Sequence, residues 1–186
     1  MSFWWGRNPP LRKEEKDMNF EEIIRKRTAT RKFQNILVEQ EKLEKVLEAG
    51  RLAPTAKNYQ PQHFFVIKTK KGLAKIDKAS PCRYGAPIVV MVCSDKEIAF
   101  HQNNYSTYEM DATISATHMI LEATNVGLDS IWVEMFDRNI LKKEFHLKES
   151  LEVVCLLMLG YKSSDCPVNP MHNIRKPLHE MVEYIE

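Results

Sequence analysis

The stretch Ala53-Pro54-Thr55-Ala56-Lys57-Asn58-Tyr59-Gln60-Pro61 concentrates the residue types that could hold a polar ligand. A connection this rich in Pro, Thr and Asn leaves backbone and side-chain donors unspent by regular structure. Taken alone it equally suits an ordinary helix-to-strand link. The other reactive residues point away from several common chemistries. His63, His101, His118, His146, His172 and His179 show no metal-ligand spacing with a carboxylate, and Cys166 with His172 is an isolated pair. These histidines are expected in structural or surface roles. Cys82, Cys93, Cys155 and Cys166 form no Cys-x-x-Cys pair, and two lie inside apolar runs, so buried free thiols are expected. No serine-nucleophile motif occurs, and no Gly-rich phosphate loop follows a strand.

The elements that must position these residues are legible from periodicity. Asn19 followed by Glu22 reads as a capping box opening a helix from Phe20 to Lys26, with Ile23 and Ile24 inward. A second helix, Glu39 to Leu52, leads into the Pro54 loop, and His63 to Ile67 reads as the strand beyond it. Lys71 to Ala79 suits a helix, Ala86 to Cys93 a buried strand, and Ser94 to Tyr108 a polar, weakly patterned segment. Met110 to Val126 carries Ala112, Ala116, Met119, Ile120, Ala123 and Val126 on one face and Met110, Ile114, Thr117 and Leu121 on the opposite one. A helix apolar on two sides lies at the centre of a domain or in a subunit interface, which favours a homodimer. Asp129 to Glu134 and Leu151 to Gly160 read as strands, with a helix from Asp137 to Glu144 between them. Strands separated by helices also suit a parallel doubly wound sheet, but the missing phosphate loop argues against it.

The 186 residues and 44% hydrophobic content suit one domain with a sizeable core, expected over 19–186 behind an arm at 1–18 that contains Trp4 and Trp5. With 27 basic and 25 acidic residues the net charge is +2, giving no general attraction to nucleic acid or membrane. The basic groups at 25–27 and 68–71 lack aromatic interleaving, so nucleic-acid binding is not expected. No early apolar run is long enough for a signal or a membrane span, and a cytoplasmic location is expected.

Preceded by Arg27-Thr28-Ala29-Thr30-Arg31-Lys32-Phe33, the loop resembles the Ala-Pro-Ser-Ser-x-Asn-x-Gln-Pro signature of the flavin-dependent nitroreductase family. Val133-Glu134-Met135-Phe136-Asp137 resembles the family's flavin-face segment, and Arg175-Lys176-Pro177 its carboxy-terminal phosphate contact. The four matches fall in family order over roughly residues 19 to 180.

The resemblance implies an α+β fold, a central and mostly antiparallel sheet flanked by helices in an intertwined homodimer, with flavin mononucleotide (FMN) bound at the interface. Arg27 and Arg175 then resemble the phosphate ligands, for which guanidinium forks are suited. Thr28 and Ala29 belong to the same contact, and Arg31 to the basic position near the flavin pyrimidine ring, where positive charge favours the reduced cofactor. Pro54, Thr55, Ala56 and Asn58 match the loop that touches the flavin held mainly by the other subunit. Trp132, Val133, Glu134 and Met135 match the segment against the flavin ring, with Glu134 a positioning residue. The sequence departs from the family pattern at Ala29, where Ser is usual, at Asn173, where some members have Lys, and at Met135, where Gly is frequent. The implied reaction is ping-pong: NADH or NADPH as electron donor, then a small-molecule acceptor such as a nitroaromatic or quinone. Reductive dehalogenation, ene reduction and non-catalytic flavin binding are the alternatives on the same fold. By the same resemblance the 94–108 segment is a candidate lid, and the apolar tail with Leu178, Met181, Val182, Tyr184 and Ile185 extends the partner's sheet.

Overall fold

The structure is a computed structural model that describes residues 18–185. The expected arm therefore lies outside the described residues, apart from Met18. Helix α1, Phe20–Lys26, begins at the predicted capping box: Asn19 Oδ1 accepts the Glu22 N–H, and Glu22 Oε2 accepts the Asn19 N–H. Ile23 is half-buried as expected, but Ile24 is 45% exposed, so α1 presents less apolar surface to its own chain than its sequence suggested.

Helix α2 (Gln40–Leu52), strand β1 (Gln62–Ile67), helix α3 (Lys70–Ala79) and strand β2 (Ile88–Asp95) follow. A two-strand hairpin, β3 (His101–Gln102) and β4 (Tyr105–Ser106), occupies the segment expected as a lid. Then come α4 (Tyr108–Asn125), β5 (Asp129–Val133), α5 (Arg138–Phe145) and β6 (Leu151–Gly160). Gly127, at φ +74, ends α4 in the left-handed conformation that lets the Leu128 N–H reach back to the Ala123 carbonyl at 2.7 Å.

The main sheet runs β1-β2-β6-β5 with every neighbouring pair antiparallel. A parallel bridge from Ala29 to Ser130 and an antiparallel one from Phe33 to Lys162 attach the chain before α2 to this sheet. Alternate residues of β2 and β6 serve opposite layers. Val89, Met91, Leu156 and Met158 pack with α3 and α5, whereas Val90, Val92, Leu157 and Leu159 pack with α2 and α4. Because helices cover both faces, β2 and β6 read as continuous apolar runs rather than alternating ones. At Val154 a bulge shifts the register, so that Val92 pairs with Cys155 and Cys93 with Val153.

Helix α4 is buried on one face only within the single chain. Ala112, Ala116, Met119 and Ala123 are inaccessible, while Met110 is 53% exposed and Thr113 and Thr117 face outward. The expected burial on both sides thus does not occur inside one chain. The tail behaves alike: after a short 3-10 turn at Leu178–Glu180, Leu178, Met181, Tyr184 and Ile185 remain exposed. The four cysteines are unpaired, with Cys93, Cys155 and Cys166 buried and Cys82 half-buried.

Candidate functional site

The chain from Arg27 to Phe33 is an extended strip laid across one end of the sheet. Thr30 donates its N–H to the Ser130 carbonyl at 3.0 Å, Phe33 to that of Tyr84 at 3.1 Å, and Gln34 to that of Tyr161 at 2.8 Å. These bonds fix the strip and leave its arginines to project from it. Arg27 caps α1 and is half-buried. Burial first, and then the like charge of Arg175, hold the Arg27 guanidinium below its usual range. Two residues separated by most of the chain are therefore close enough to repel. Among the described residues neither is in an ion pair with a carboxylate; the polar contact of Arg175 is from Nη1 to the Ile174 carbonyl at 2.7 Å. A half-buried cation that feels the charge of a second cation suits a multiply charged anion. Thr28 lines a neighbouring cavity of about 240 Å³ with Lys26, Thr124 and Ser130.

Arg31 lies on the same strip, exposed, at the phenol of Tyr84. The Tyr84 phenol is pushed above its usual range by a hydrogen bond with Cys82, by burial and by the Cys82 charge, against which Arg31 acts in the opposite direction. The Cys82 thiol is 3.8 Å from the Met135 Sδ, and the Met135 carbonyl accepts the Ser80 hydroxyl at 2.7 Å. The structure thus brings Arg31, Tyr84, Cys82 and Met135 into one contiguous group. Arg31 and Met135 were expected in the site from the sequence, whereas Tyr84 and Ser80 were not singled out and Cys82 was expected only as a buried free thiol; the three sit on an irregular segment without a periodic signal.

Val133 ends β5 within the core, while Trp132 is half-buried and donates its indole N–H to Glu134 Oε1 at 2.9 Å. Glu134 and Met135 are exposed just beyond the strand, where the chain turns back through a Phe136 N–H to Glu134 carbonyl bond of 3.0 Å. Trp132 and Val133 pack into opposite layers of the sheet, and of the four residues only Glu134 and Met135 are exposed.

Pro54, Thr55, Ala56 and Asn58 form a second region. Ala56–Asn58 makes a single 3-10 turn, with the Asn58 N–H bonded to the Thr55 carbonyl at 3.0 Å and the Gln60 N–H to the Thr55 hydroxyl at 3.0 Å. Pro54 and Asn58 are exposed, and Thr55 and Ala56 half-buried. Among the described residues no hydrogen bond, ion pair or ring contact joins this loop to Arg27, Arg31, Met135 or Arg175. A groove of about 660 Å³ between α2 and the outer edge of β1, lined by Leu47, Arg51, Phe64 and Val66 among others, includes none of the expected ligands.

A four-stranded antiparallel sheet covered by helices on both faces makes the fold α+β. The family model described as "Nitroreductase family" matches residues 24–83 and 78–161, and the chain belongs to that family. It is 40% identical to a nitroreductase family protein of Clostridium difficile 630, with a TM-score of 0.84 over 90% of this chain and 98% of that one. It is 27% identical over 157 residues, 80% of each chain, to the "Putative NADH dehydrogenase/NAD(P)H nitroreductase" of Methanothermobacter thermautotrophicus. A structure from Exiguobacterium sibiricum 255-15, solved in complex with FMN, has the same fold at 19% identity and a TM-score of 0.78, covering 90% of this chain and 98% of that one. Among the described residues no helix is long and apolar enough to cross a membrane.

Proposed function

We propose that this protein is an FMN-dependent oxidoreductase that takes electrons from NADH or NADPH and delivers them to an electron-poor small molecule, such as a nitroaromatic or quinone. The observation that carries the reading is the Arg27–Arg175 pair: two guanidiniums, one half-buried, with no carboxylate bound to either among the described residues. That donor set fits a phosphate dianion. A relative of this fold holds FMN, and another is named for NAD(P)H, which supports the same choice.

In this reading Arg27, Thr28 and Arg175 hold the phosphate, with Ala29 offering backbone alone. Arg31 supplies positive charge near the pyrimidine edge, and Trp132, Val133, Glu134 and Met135 form the surface against the ring. Glu134 is held by the Trp132 indole and so orients rather than transfers a proton. When bound, the flavin supplies hydride acceptance and electron delivery. Donor and acceptor use the same cavity in turn, which makes the kinetics ping-pong.

The active unit is a homodimer. Leu37 is 93% exposed and Leu52 63%, and with Met110, Phe20 and the tail they leave more apolar surface uncovered than a lone chain favours. Pro54, Thr55, Ala56 and Asn58 then complete the partner's site.

Titration with FMN and with riboflavin, which lacks the phosphate, tests the assignment. Binding of FMN at least about tenfold tighter is expected from one charge-assisted contact alone. Equal affinity for both, or for neither, refutes it.

A further inference from the structure

The side chain of Asp111 is 1% exposed, yet no lysine or arginine pairs with it among the described residues. It sits in the first turn of α4, on a face otherwise made of Ala112, Ser115, Ala116 and Met119. A carboxylate in such surroundings is costly unless its oxygens are occupied. They are occupied by two different segments: Oδ1 accepts the Ala56 N–H at 2.9 Å, and Oδ2 accepts the Thr107 hydroxyl at 2.8 Å.

Both segments matter to the proposed site. Ala56 lies at the centre of the loop assigned to the partner's flavin, and Thr107 is the base of the β3–β4 hairpin. Within the loop Lys57, Asn58 and Gln60 adopt φ of 56, 57 and 53, a left-handed conformation unfavourable for residues with a Cβ. Such a conformation persists only where neighbouring structure over-determines it. The hairpin closes on the same point. Thr107 donates its N–H to the Phe100 carbonyl at 3.0 Å, the Phe100 ring lies 6.4 Å from that of Tyr59, and Lys57 Nζ is 5.9 Å from the Phe100 centroid.

We propose that Asp111 is a positioning residue that locks the Pro54–Gln60 loop and the β3–β4 hairpin into one body, so that the cofactor-contacting loop is set before any ligand arrives. Asp111 touches neither flavin nor substrate; it acts through Ala56 and Thr107. The role rests on the flavin reading given above, but the lock itself is a property of the polypeptide alone.

The test uses amide hydrogen exchange on the full-length chain without flavin, then FMN titration of the same preparations. Asp111→Ala should speed exchange of the Ala56 amide at least about tenfold and weaken FMN about tenfold or more, as expected for loss of a hydrogen bond to a charged acceptor. Asp111→Asn keeps an acceptor for that N–H and should stay within about threefold of wild type in both readouts. Thr107→Val removes the second bond, together with the longer 3.5 Å contact of the same hydroxyl to the Phe100 carbonyl, and should fall between them; it decides the matter if Asp111→Ala does not fold. Unchanged Ala56 exchange in Asp111→Ala, or in Thr107→Val where that variant decides, refutes the lock. Faster exchange with unchanged FMN affinity and a lowered Tm makes Asp111 a structural residue and overturns the positioning role. Asn failing as badly as Ala also overturns it, because charge rather than loop geometry is then what counts. Wild type that takes no FMN, with the exchange pattern as expected, overturns the flavin reading and the positioning role while the lock stands.

Discussion

Replacing Arg27 by Gln should have opposite effects on cofactor affinity and on the stability of the flavin-free chain. In the flavin-free protein the Arg27 charge is disfavoured by burial and by Arg175, and no carboxylate is paired with it among the described residues. Removing that charge while keeping a polar amide should therefore leave the urea midpoint unchanged or raise it slightly. Phosphate binding reverses the sign. A hydrogen bond to a charged group contributes about 1.5–3 kcal/mol and a neutral one about 0.5–1.5 kcal/mol, so Gln should weaken FMN by about 1–2 kcal/mol. At 1.4 kcal/mol per decade this is roughly a five- to thirtyfold rise in Kd. Quenching of flavin fluorescence measures it, at low salt because the contact is partly exposed. Added salt should weaken wild type more than the variant. Unchanged FMN affinity, or a marked loss of flavin-free stability, would refute the reasoning, since Arg27 would then be a structural cation with a partner of its own.

Three further outcomes follow from other parts of the fold. A Cβ at Gly160 would stand 2.8 Å from Pro87 Cδ and 3.1 Å from the Phe33 ring, both rigid, so Gly160→Ala should cost about 1–3 kcal/mol in chemical denaturation; no loss would mean the end of β6 yields easily. Burial pushes the Glu152 carboxyl up, but hydrogen bonds from Lys96 at 2.6 Å and Lys142 at 3.0 Å bring it net below its usual range. Its contribution is therefore present above the unfolded value of about 4.3 and lost as pH falls through the lower folded value. Glu152→Gln should cost about 1–2 kcal/mol at pH 7, with the gap to wild type closing in acid once the folded-state carboxyl is protonated; a gap that persists in acid refutes the ion-pair account. Finally, dilution that dissociates the dimer should release flavin in a sedimentation run followed at the flavin absorbance. Monomer that keeps its flavin would remove Thr55 and Asn58 from the partner's site.

The sheet was legible in the sequence because burial on both faces turns β2 and β6 into unbroken apolar runs, and Leu151–Gly160 is read to the residue. The Asn19 capping box was legible because its signal is local, two residues three apart. Ile24 was misread because helical period shows which residues share a face, not whether the chain's own core covers that face. The same holds for the outer side of α4. The β3–β4 hairpin escaped because two-residue strands are too short to establish a period. Asp111 escaped for a different reason: its meaning lies in an N–H 55 residues away, and nothing in α4 alone distinguishes it from a solvated acid. Arg27 and Arg175 could be nominated separately, but only the fold shows that their charges repel, with no carboxylate paired to either among the described residues.

The most direct test of the central claim is the absorbance spectrum of the purified full-length protein, recorded with FMN supplied and then under anaerobic addition of NADH and, separately, NADPH. Flavin bands that bleach with either nucleotide and return on addition of a quinone or nitroaromatic are the predicted result. A protein that takes up no flavin, or flavin bands that neither nucleotide bleaches, would contradict it.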